Sequence, residues 1–133
     1  MLDYITSRYD QFIKDLETIV NIDSGSRYAP GIEKVAAYFQ DRFSKLGLHT
    51  KDLSFEDGNV PCLEAANVDP SAPGVEFDFL FLGHMDTVFL EGTVQQRPFS
   101  IDGNHATGPG VCDMKGGLVA ILHVFETLKH FGI

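Results

Sequence analysis

The amino-acid sequence predicts a single domain of the α/β class. Three stretches carry apolar residues at helical spacing, and between the second and the third lies a continuous apolar run, Phe79-Leu80-Phe81-Leu82. Such a run is typical of a strand that is buried on both faces of an α/β sheet. A chain of 133 residues, of which 44% are hydrophobic, is also long enough to bury a core.

The amino-terminal part is predicted to form two packing helices joined by a loop. Apolar side chains follow one helical stripe over residues 2–20 and again over residues 30–46, and Gly47 is placed to end the second helix. Residues 21–30 are rich in turn-forming types and are predicted to be the loop between them.

Strands are predicted in the middle of the chain. The sequence favours a first strand over residues 48–55, a turn at 56–59 and a second strand over 62–68. A surface loop at 69–74 then leads to the core strand at 77–82.

The carboxyl-terminal part is predicted to be a hairpin followed by a helix. Asp102-Gly103 lies between two short extended segments, and Asp-Gly is a strong hairpin signal. From Gly116 onward apolar residues recur at helical spacing until Gly132, which is expected to end the helix.

Charge and cysteine content exclude several functional classes. The formal net charge of −9 argues against nucleic acid and anionic membranes as partners. The two cysteines do not form a disulfide framework. No secretion signal or apolar run of membrane-spanning length is visible, so we expect a cytoplasmic protein.

Candidate metal ligands lie near both ends of the stretch from Gly83 to Gly117. His84 and Asp86 follow the predicted core strand, which is where open α/β sheets usually build their sites. A neutral imidazole is a good zinc ligand, and the H-x-D spacing gives His84 a carboxylate that can orient it. Asp113, before the last helix, can ligate one divalent ion or bridge two.

Each of these residues also has an ordinary structural interpretation. A histidine near a strand end is often a satisfied surface or core residue, and an aspartate before a helix is often its N-cap. Cys112 is either a soft ligand beside Asp113 or a small buried filler. Lys115 opposes the dipole of the last helix, which indicates a tertiary role.

The ordered string of these residues resembles a known family. This is the zinc aminoacylase and carboxypeptidase family, which includes glutamate carboxypeptidases, acetylornithine deacetylase and succinyl-diaminopimelate desuccinylase. The resemblance lies in Gly83-His84-Met85-Asp86-Thr87-Val88, Arg97-Pro98-Phe99, Asp102-Gly103, Gly108-Pro109-Gly110-Val111 and Asp113-Met114-Lys115-Gly116-Gly117. The F-x-x-G-T segment, Phe89 to Thr93, is most similar to the glutamate carboxypeptidase branch.

The resemblance implies a fold, an activity and roles for three residues. It implies a three-layer α/β/α catalytic domain in which His84 is a zinc ligand, Asp86 is the catalytic carboxylate that orients it, and Asp113 bridges two zinc ions. The Asp113–Met114 peptide bond would be cis. The implied reaction is hydrolysis of a peptide or N-acyl amino acid with a free carboxylate, such as a carboxyl-terminal glutamate. The implied enzyme is a full-length homodimer, with cobalt or manganese as alternative metals.

The sequence departs from the family in what it lacks. Family members continue with an adjacent pair of glutamates, a general base and a further ligand, and no such pair occurs here. Since two tetrahedral zinc ions need roughly three protein ligands each, we expect the chain to be the amino-terminal portion of a catalytic domain. The rest of that domain and the dimerisation domain would then be absent. The alternative is a non-catalytic half-domain that acts as a binding module, and in either case we expect self-association.

Overall fold

Three helices open the chain, and two pairs of short strands and two further helices follow them. The structure is a computed structural model that describes residues 1–53 and 61–133. In chain order the elements of this part are α1 (Leu2–Ser7), α2 (Tyr9–Val20), α3 (Ala29–Lys45), β1 (His49–Asp52), β2 (Leu63–Ala66), α4 (Thr93–Gln96), β3 (Ser100–Asp102), β4 (His105–Thr107) and α5 (Gly116–Phe131). This mixture of helix and strand is consistent with the predicted α/β class, while the three-layer arrangement stays a prediction. No helix among the described residues is long and apolar enough to cross a membrane.

The apolar core lies between α2, α3 and α5. Each helix contributes buried aliphatic or aromatic side chains, namely Leu16, Ile19, Val20, Val35, Phe39, Phe43, Val119 and Leu122. All of these except Val119 lie on the predicted helical stripes. Burying side chains of this size stabilises the fold by about 1.5–3 kcal/mol each before entropy is counted. The core therefore holds together the three helices that carry the rest of the molecule.

The predicted helix at residues 2–20 is interrupted at Arg8, so this prediction is wrong in detail. The Arg8 amide N–H bonds to the carbonyl of Ile5, three residues back, and α1 ends there. The Arg8 guanidinium donates to the Glu126 carboxylate of α5 at 3.0 Å. Ile5 and Tyr9, which the helical stripe placed at the core, are exposed.

The short strands form two antiparallel pairs. β1 pairs with β2, with His49 opposite Ala66 and Asp52 opposite Leu63. Both strands are shorter than predicted, and the predicted turn at 56–59, with the end of the predicted first strand, lies outside the described residues. β3 and β4 form the predicted hairpin, in which Gly103 has a positive φ of 56°.

The predicted core strand at 77–82 is not a strand in the structure, and this prediction is wrong. No described strand bonds to its backbone, and Phe79, Leu80 and Leu82 are about four-fifths exposed, at 80%, 81% and 78%. Contact is made on one side, where the Phe81 ring meets the Phe125 ring of α5 at 5.8 Å. An apolar run is fully buried only where neighbouring elements cover both of its faces. Here the described residues cover only the face that contacts α5.

A buried polar network crosses the interface of the three core helices. The Asp15 carboxylate of α2 is 3% exposed and accepts hydrogen bonds from Arg42 at 2.6 Å, Tyr38 at 2.8 Å, His123 at 2.8 Å and Gln11 at 2.7 Å. These donors come from α3, from α5 and from α2 itself. Because the charge is met by several donors at once, its burial fixes the relative positions of the helices.

The stability of this network should depend on pH. Burial alone would raise the pKa of Asp15, but the hydrogen bonds from Arg42, His123 and Tyr38 outweigh burial and lower that pKa to about 2. A lowered folded-state pKa gives stability that is present above the unfolded pKa of about 3.9 and is lost as pH falls toward 2. We therefore expect wild type to lose about 2 kcal/mol more unfolding free energy than Asp15→Asn between pH 5 and pH 2.

Urea unfolding at several pH values measures this difference directly. Other carboxylates contribute to the pH dependence of both proteins, so the difference between wild type and Asp15→Asn isolates Asp15. A difference that stays constant from pH 5 to pH 2 would contradict the assignment.

Candidate functional site

The loop between α2 and α3, residues 21–28, is hydrogen-bonded to the H-x-D segment, and we call it the supporting loop. Ser24 is buried, its hydroxyl donates to the Met85 carbonyl at 2.9 Å, and its own carbonyl accepts from the Thr87 amide at 2.8 Å. The Ser26 amide donates to the Thr87 carbonyl at 3.0 Å, which completes a short parallel pairing. The backbone on either side of Asp86 is therefore held by the loop.

The same loop also fixes the segment after the H-x-D residues. The Asp23 carboxylate accepts from the Gly92 amide at 2.8 Å and from the Val94 amide at 2.9 Å, at the start of α4. The Asn21 side chain accepts from the Phe99 amide at 2.8 Å. These hydrogen bonds were not predicted from the sequence, because each joins residues about seventy positions apart and no local pattern marks them.

The glycine-rich turn before α5 needs glycine at position 110. Gly110 has a φ of +74°, and a side chain there would place its first carbon 2.5 Å from the Thr87 methyl group. Residues Val111–Lys115 then form an irregular turn, in which Asp113 and Met114 leave helical geometry. The Asp113–Met114 bond is cis, as predicted.

Lys115 ties this turn to the supporting loop. Its side chain has no exposed surface, and its Nζ donates to the Ile22 carbonyl at 2.6 Å. Burial lowers the pKa of Lys115 to about 8. The tertiary role expected for Lys115 is confirmed as a bond between the two segments that frame the site.

His84 lies between the two aspartates that the sequence singled out. Its Nδ1 is 3.1 Å from Asp86 Oδ1 and 3.0 Å from the Asp86 carbonyl, and its Nε2 is 2.9 Å from Asp113 Oδ1. The structure thus brings together all three predicted site residues. Asp86 lies on the Nδ1 side of the ring, and its orienting role stays a prediction.

Both ring nitrogens of His84 face oxygen atoms that accept hydrogen bonds, whereas a neutral imidazole carries a proton on only one of them. When Nδ1 carries that proton, Nε2 and Asp113 Oδ1 both offer lone pairs at 2.9 Å and are held together by a second proton or by a metal ion. The hydrogen bond to Asp113 accordingly raises the pKa of His84. Because protonation and metal binding compete for the same nitrogen, the environment that favours a proton there also suits a cation.

The donor set fits a divalent ion but does not complete its shell. Two ligands of one tetrahedral zinc ion lie roughly 3.3 Å apart, given bonds of about 2.0–2.1 Å, which is close to the 2.9 Å found here. Within residues 1–53 and 61–133, no group of three or more histidine, cysteine or acidic side chains could hold a metal ion. Ligands from outside the described residues would be needed.

The three side chains border an open cleft of about 280 Å³. Its lining also includes backbone and side chains from the segment after Asp86 and from the glycine-rich turn: Thr87, Val88, Phe89, Gly108, Gly110, Val111 and Cys112. Cys112 is exposed there, so the interpretation as a buried filler is wrong. His105, on the exposed hairpin, is not among the residues that line this cleft.

Comparison with known proteins identifies the stretch that contains this cleft. Residues 80–133 match the family model described as peptidase family M20/M25/M40. Carboxypeptidase G2 from Pseudomonas sp. is 34% identical over 128 residues, which is 96% of this chain and 30% of that protein. Over residues 80–133 the chain fits the M20/M25/M40 peptidase family. An uncharacterized metallohydrolase from Methanocaldococcus jannaschii is 32% identical over 114 residues, or 86% of this chain and 28% of that protein.

The match to the M20/M25/M40 family model agrees with the resemblance read from the sequence. The matched stretch includes His84, Asp86 and Asp113. The chain spans less than a third of the length of the two relatives. The metal-ligand and catalytic roles of the three residues therefore stay predictions, now with a geometry that suits them.

Proposed function

We propose that the full-length protein is a metal-dependent hydrolase of the glutamate carboxypeptidase type. Its substrates would be peptides or N-acyl amino acids, and its metal would be a pair of zinc ions, with cobalt or manganese as alternatives. The observation that carries this proposal is the approach of His84 Nε2 to Asp113 Oδ1 at 2.9 Å, with Nδ1 of the same ring tied to Asp86. The names of the relatives, a carboxypeptidase and a metallohydrolase, support the same reaction class.

Each of the three residues has a distinct task in this proposal. Asp86 accepts the Nδ1 proton of His84 and so keeps the Nε2 lone pair directed at Asp113. Asp113 is 86% exposed at its side chain, so one carboxylate oxygen can face His84 while the other remains open to a second ion. When bound, the zinc pair would supply Lewis-acid polarisation of the scissile carbonyl and activation of a water molecule.

The remaining parts of the reaction require residues that the described structure does not supply. A general base must accept a proton from the attacking water and pass it to the leaving amine. The described residues hold two ligands in contact and no third. We propose that the base and the other ligands come from outside the described residues.

Zinc titration by calorimetry tests the proposal. The 133-residue chain should bind zinc weakly through His84 and Asp113, whereas the metal-free full-length protein should bind two ions tightly and gain hydrolytic activity. If the full-length protein binds no zinc tightly, the alternative of a non-catalytic binding module becomes the better account. The incomplete ligand set among the described residues is the observation that favours that alternative.

Asp86→Asn should weaken metal binding without removing a direct ligand. An asparagine cannot hold the Nδ1 proton of His84 as a carboxylate does, and loss of such an orienting partner typically costs 10–100-fold in metal affinity or activity. We expect a loss of about this size in zinc affinity, measured by competition with a chromogenic chelator. Asp102→Asn, on the exposed β3 strand, is the matched control and should leave the affinity unchanged. An equal loss in both variants would exclude an orienting role for Asp86.

A further inference from the structure

The position of Asp113 depends on its backbone rather than on packing around its carboxylate. The Asp113 side chain is 86% exposed, and its Oδ1 contacts His84 Nε2 at 2.9 Å. An exposed side chain keeps one place only where the chain that carries it is held by its surroundings. The contacts of the irregular turn Val111–Lys115 therefore determine where the Asp113 carboxylate lies relative to His84.

Lys115, at the end of this turn, is a costly side chain to bury. It is 0% exposed, and an ammonium group loses its hydration on burial whereas a methionine of similar shape would not. Its Nζ donates to the Ile22 carbonyl at 2.6 Å. A buried cation destabilises a fold unless its hydrogen bonds compensate, so the choice of lysine here indicates a role that an apolar side chain cannot fill.

The Lys115 side chain runs through the framework of the site. A side-chain carbon added at Gly110 would lie 3.4 Å from Lys115 Cδ and 2.5 Å from the Thr87 methyl group. Glycine at position 110 thus leaves room for the lysine stem beside the segment that follows Asp86. The Lys115 amide donates to the Gly110 carbonyl at 2.9 Å, so its main chain closes the turn while its side chain reaches the supporting loop.

The supporting loop that receives Lys115 is itself fixed in place. It packs against the first turn of α3, where a side-chain carbon at Gly31 would lie 1.8 Å from the Asp23 carbonyl oxygen. The Asp23 carboxylate and the Ser24 hydroxyl are bonded to the chain on either side of Asp86. One loop thus holds the H-x-D segment and, through Lys115, the irregular turn.

Met114 gives the irregular turn a second contact, directly with the H-x-D segment. Its Sδ accepts the hydrogen of the His84 amide at 3.3 Å. A thioether is a weak acceptor, so this contact alone would hold the turn loosely. The bond from Lys115 is the stronger of the two, because its donor is charged.

We propose that Lys115 is a positioning residue that holds Asp113 at ligand distance from His84. This inference rests on the proposed function and deepens it, because it assigns the spacing of two proposed ligands to a side chain that does not touch the metal. Without the bond from Nζ to Ile22 the irregular turn can move away from the supporting loop, and Asp113 moves with it. Displacements of about 1 Å in a reacting geometry can cost about 10²-fold in rate.

Cobalt binding to the full-length protein tests the proposal without requiring hydrolysis. Lys115→Met keeps the length and the apolar stem of the side chain but removes its donor. We expect about tenfold weaker cobalt affinity, as for loss of an outer partner of a metal ligand, and a changed visible absorption spectrum of the bound cobalt. The spectrum reports the arrangement of the ligands, so a loss of stability alone would leave it unchanged.

The matched control is Lys129→Met. Lys129 also donates through Nζ to a main-chain carbonyl, that of Leu46 at 2.8 Å, but it is exposed and lies in the last turn of α5, roughly 20 Å along the helix from Lys115. This variant should match wild type in cobalt affinity and spectrum. Lys115→Gln keeps an N–H donor on a shorter side chain, so it should lie between wild type and Lys115→Met.

A folded Lys115→Met protein with the cobalt spectrum and affinity of wild type would overturn the proposal. If Lys115→Met does not fold, the comparison passes to Lys115→Gln, for which a wild-type spectrum and affinity would have the same meaning. Equal changes in Lys115→Met and Lys129→Met would also overturn the proposal, because they would show only a general effect of losing a lysine hydrogen bond.

Kinetics of the metal-loaded full-length protein separates this proposal from the proposed function. Lys115 is not among the residues that line the cleft, so Lys115→Met should lower kcat by up to about 10²-fold with little change in KM. Wild type that binds cobalt, with a changed spectrum in Lys115→Met, but hydrolyses no amide would refute the proposed function alone. Wild type that hydrolyses the amide, with an unchanged cobalt spectrum in Lys115→Met, would refute the Lys115 assignment alone.

Discussion

Replacing His84 or Asp113 with alanine should lower kcat/KM of the full-length protein by at least about 10³-fold, because each change would remove a ligand of the proposed metal site. Lewis-acid stabilisation by the metal is worth several kcal/mol in the transition state, and each 1.36 kcal/mol is a factor of ten in rate. Steady-state kinetics on metal-loaded enzyme measures the loss. Metal content of the same samples shows whether it follows from lost binding.

His105→Ala and Asp102→Ala are the matched controls for these two changes. Both residues lie on the exposed hairpin and have the same side-chain chemistry as His84 and Asp113. They should leave rate and metal content close to wild type. Retention of near-normal activity in His84→Ala or Asp113→Ala would disprove the site assignment.

Asp15→Ala should strongly destabilise the helical core. It removes the carboxylate that meets Arg42 and His123, and both of these partners are largely buried. Arg42 keeps its contact with Glu126 in this variant, but Tyr38 and His123 lose their buried acceptor. We therefore expect a loss of about 3 kcal/mol, at the lower end of the cost of breaking a buried pair. Urea unfolding at neutral pH, monitored by circular dichroism, measures this loss.

Asp41→Ala provides the comparison on the surface of α3. Asp41 pairs with Lys45 at 2.6 Å, but both side chains are more than half exposed. An exposed pair of this kind is worth about 0.2–1 kcal/mol. If Asp15→Ala and Asp41→Ala destabilise the protein equally, burial of the network contributes nothing; should Asp15→Ala fail to fold, Asp15→Asn allows the same comparison.

Local patterns in the sequence predicted the helices and turns well. Apolar spacing located α3 and α5, and Gly47 and Gly132 end these helices with positive φ as their positions indicated. The Asp102-Gly103 pair likewise predicted the hairpin. These features depend on residues a few positions apart, so the sequence contains the information that determines them.

Features that depend on distant neighbours were predicted less well. The run at 79–82 has the composition of a buried strand, but its burial depends on strands and helices elsewhere, and most of it is exposed here. The interruption at Arg8 coincides with a bond to Glu126, more than a hundred residues away. The hydrogen bonds made by Asp23 and Ser24 were not predicted for the same reason, because their partners lie sixty or more positions away in the sequence.

The candidate site was predicted because its residues keep a recognisable order along the chain. His84 and Asp86 are two positions apart, and their hydrogen bond follows from that spacing. The contact between His84 and Asp113 spans 29 positions and depends on the supporting loop, the glycine-rich turn and α5 together. The order of residues indicated that contact, while the distance of 2.9 Å could come only from the structure.

The burial of Lys115 makes its amine a chemical reporter on the site. Lys115 has no exposed surface, and its Nζ is bonded to the Ile22 carbonyl. Acylating reagents can reach this amine only when the packing around it opens and the bond to Ile22 breaks. The rate at which Lys115 is acylated therefore measures how often the framework around His84 and Asp113 opens.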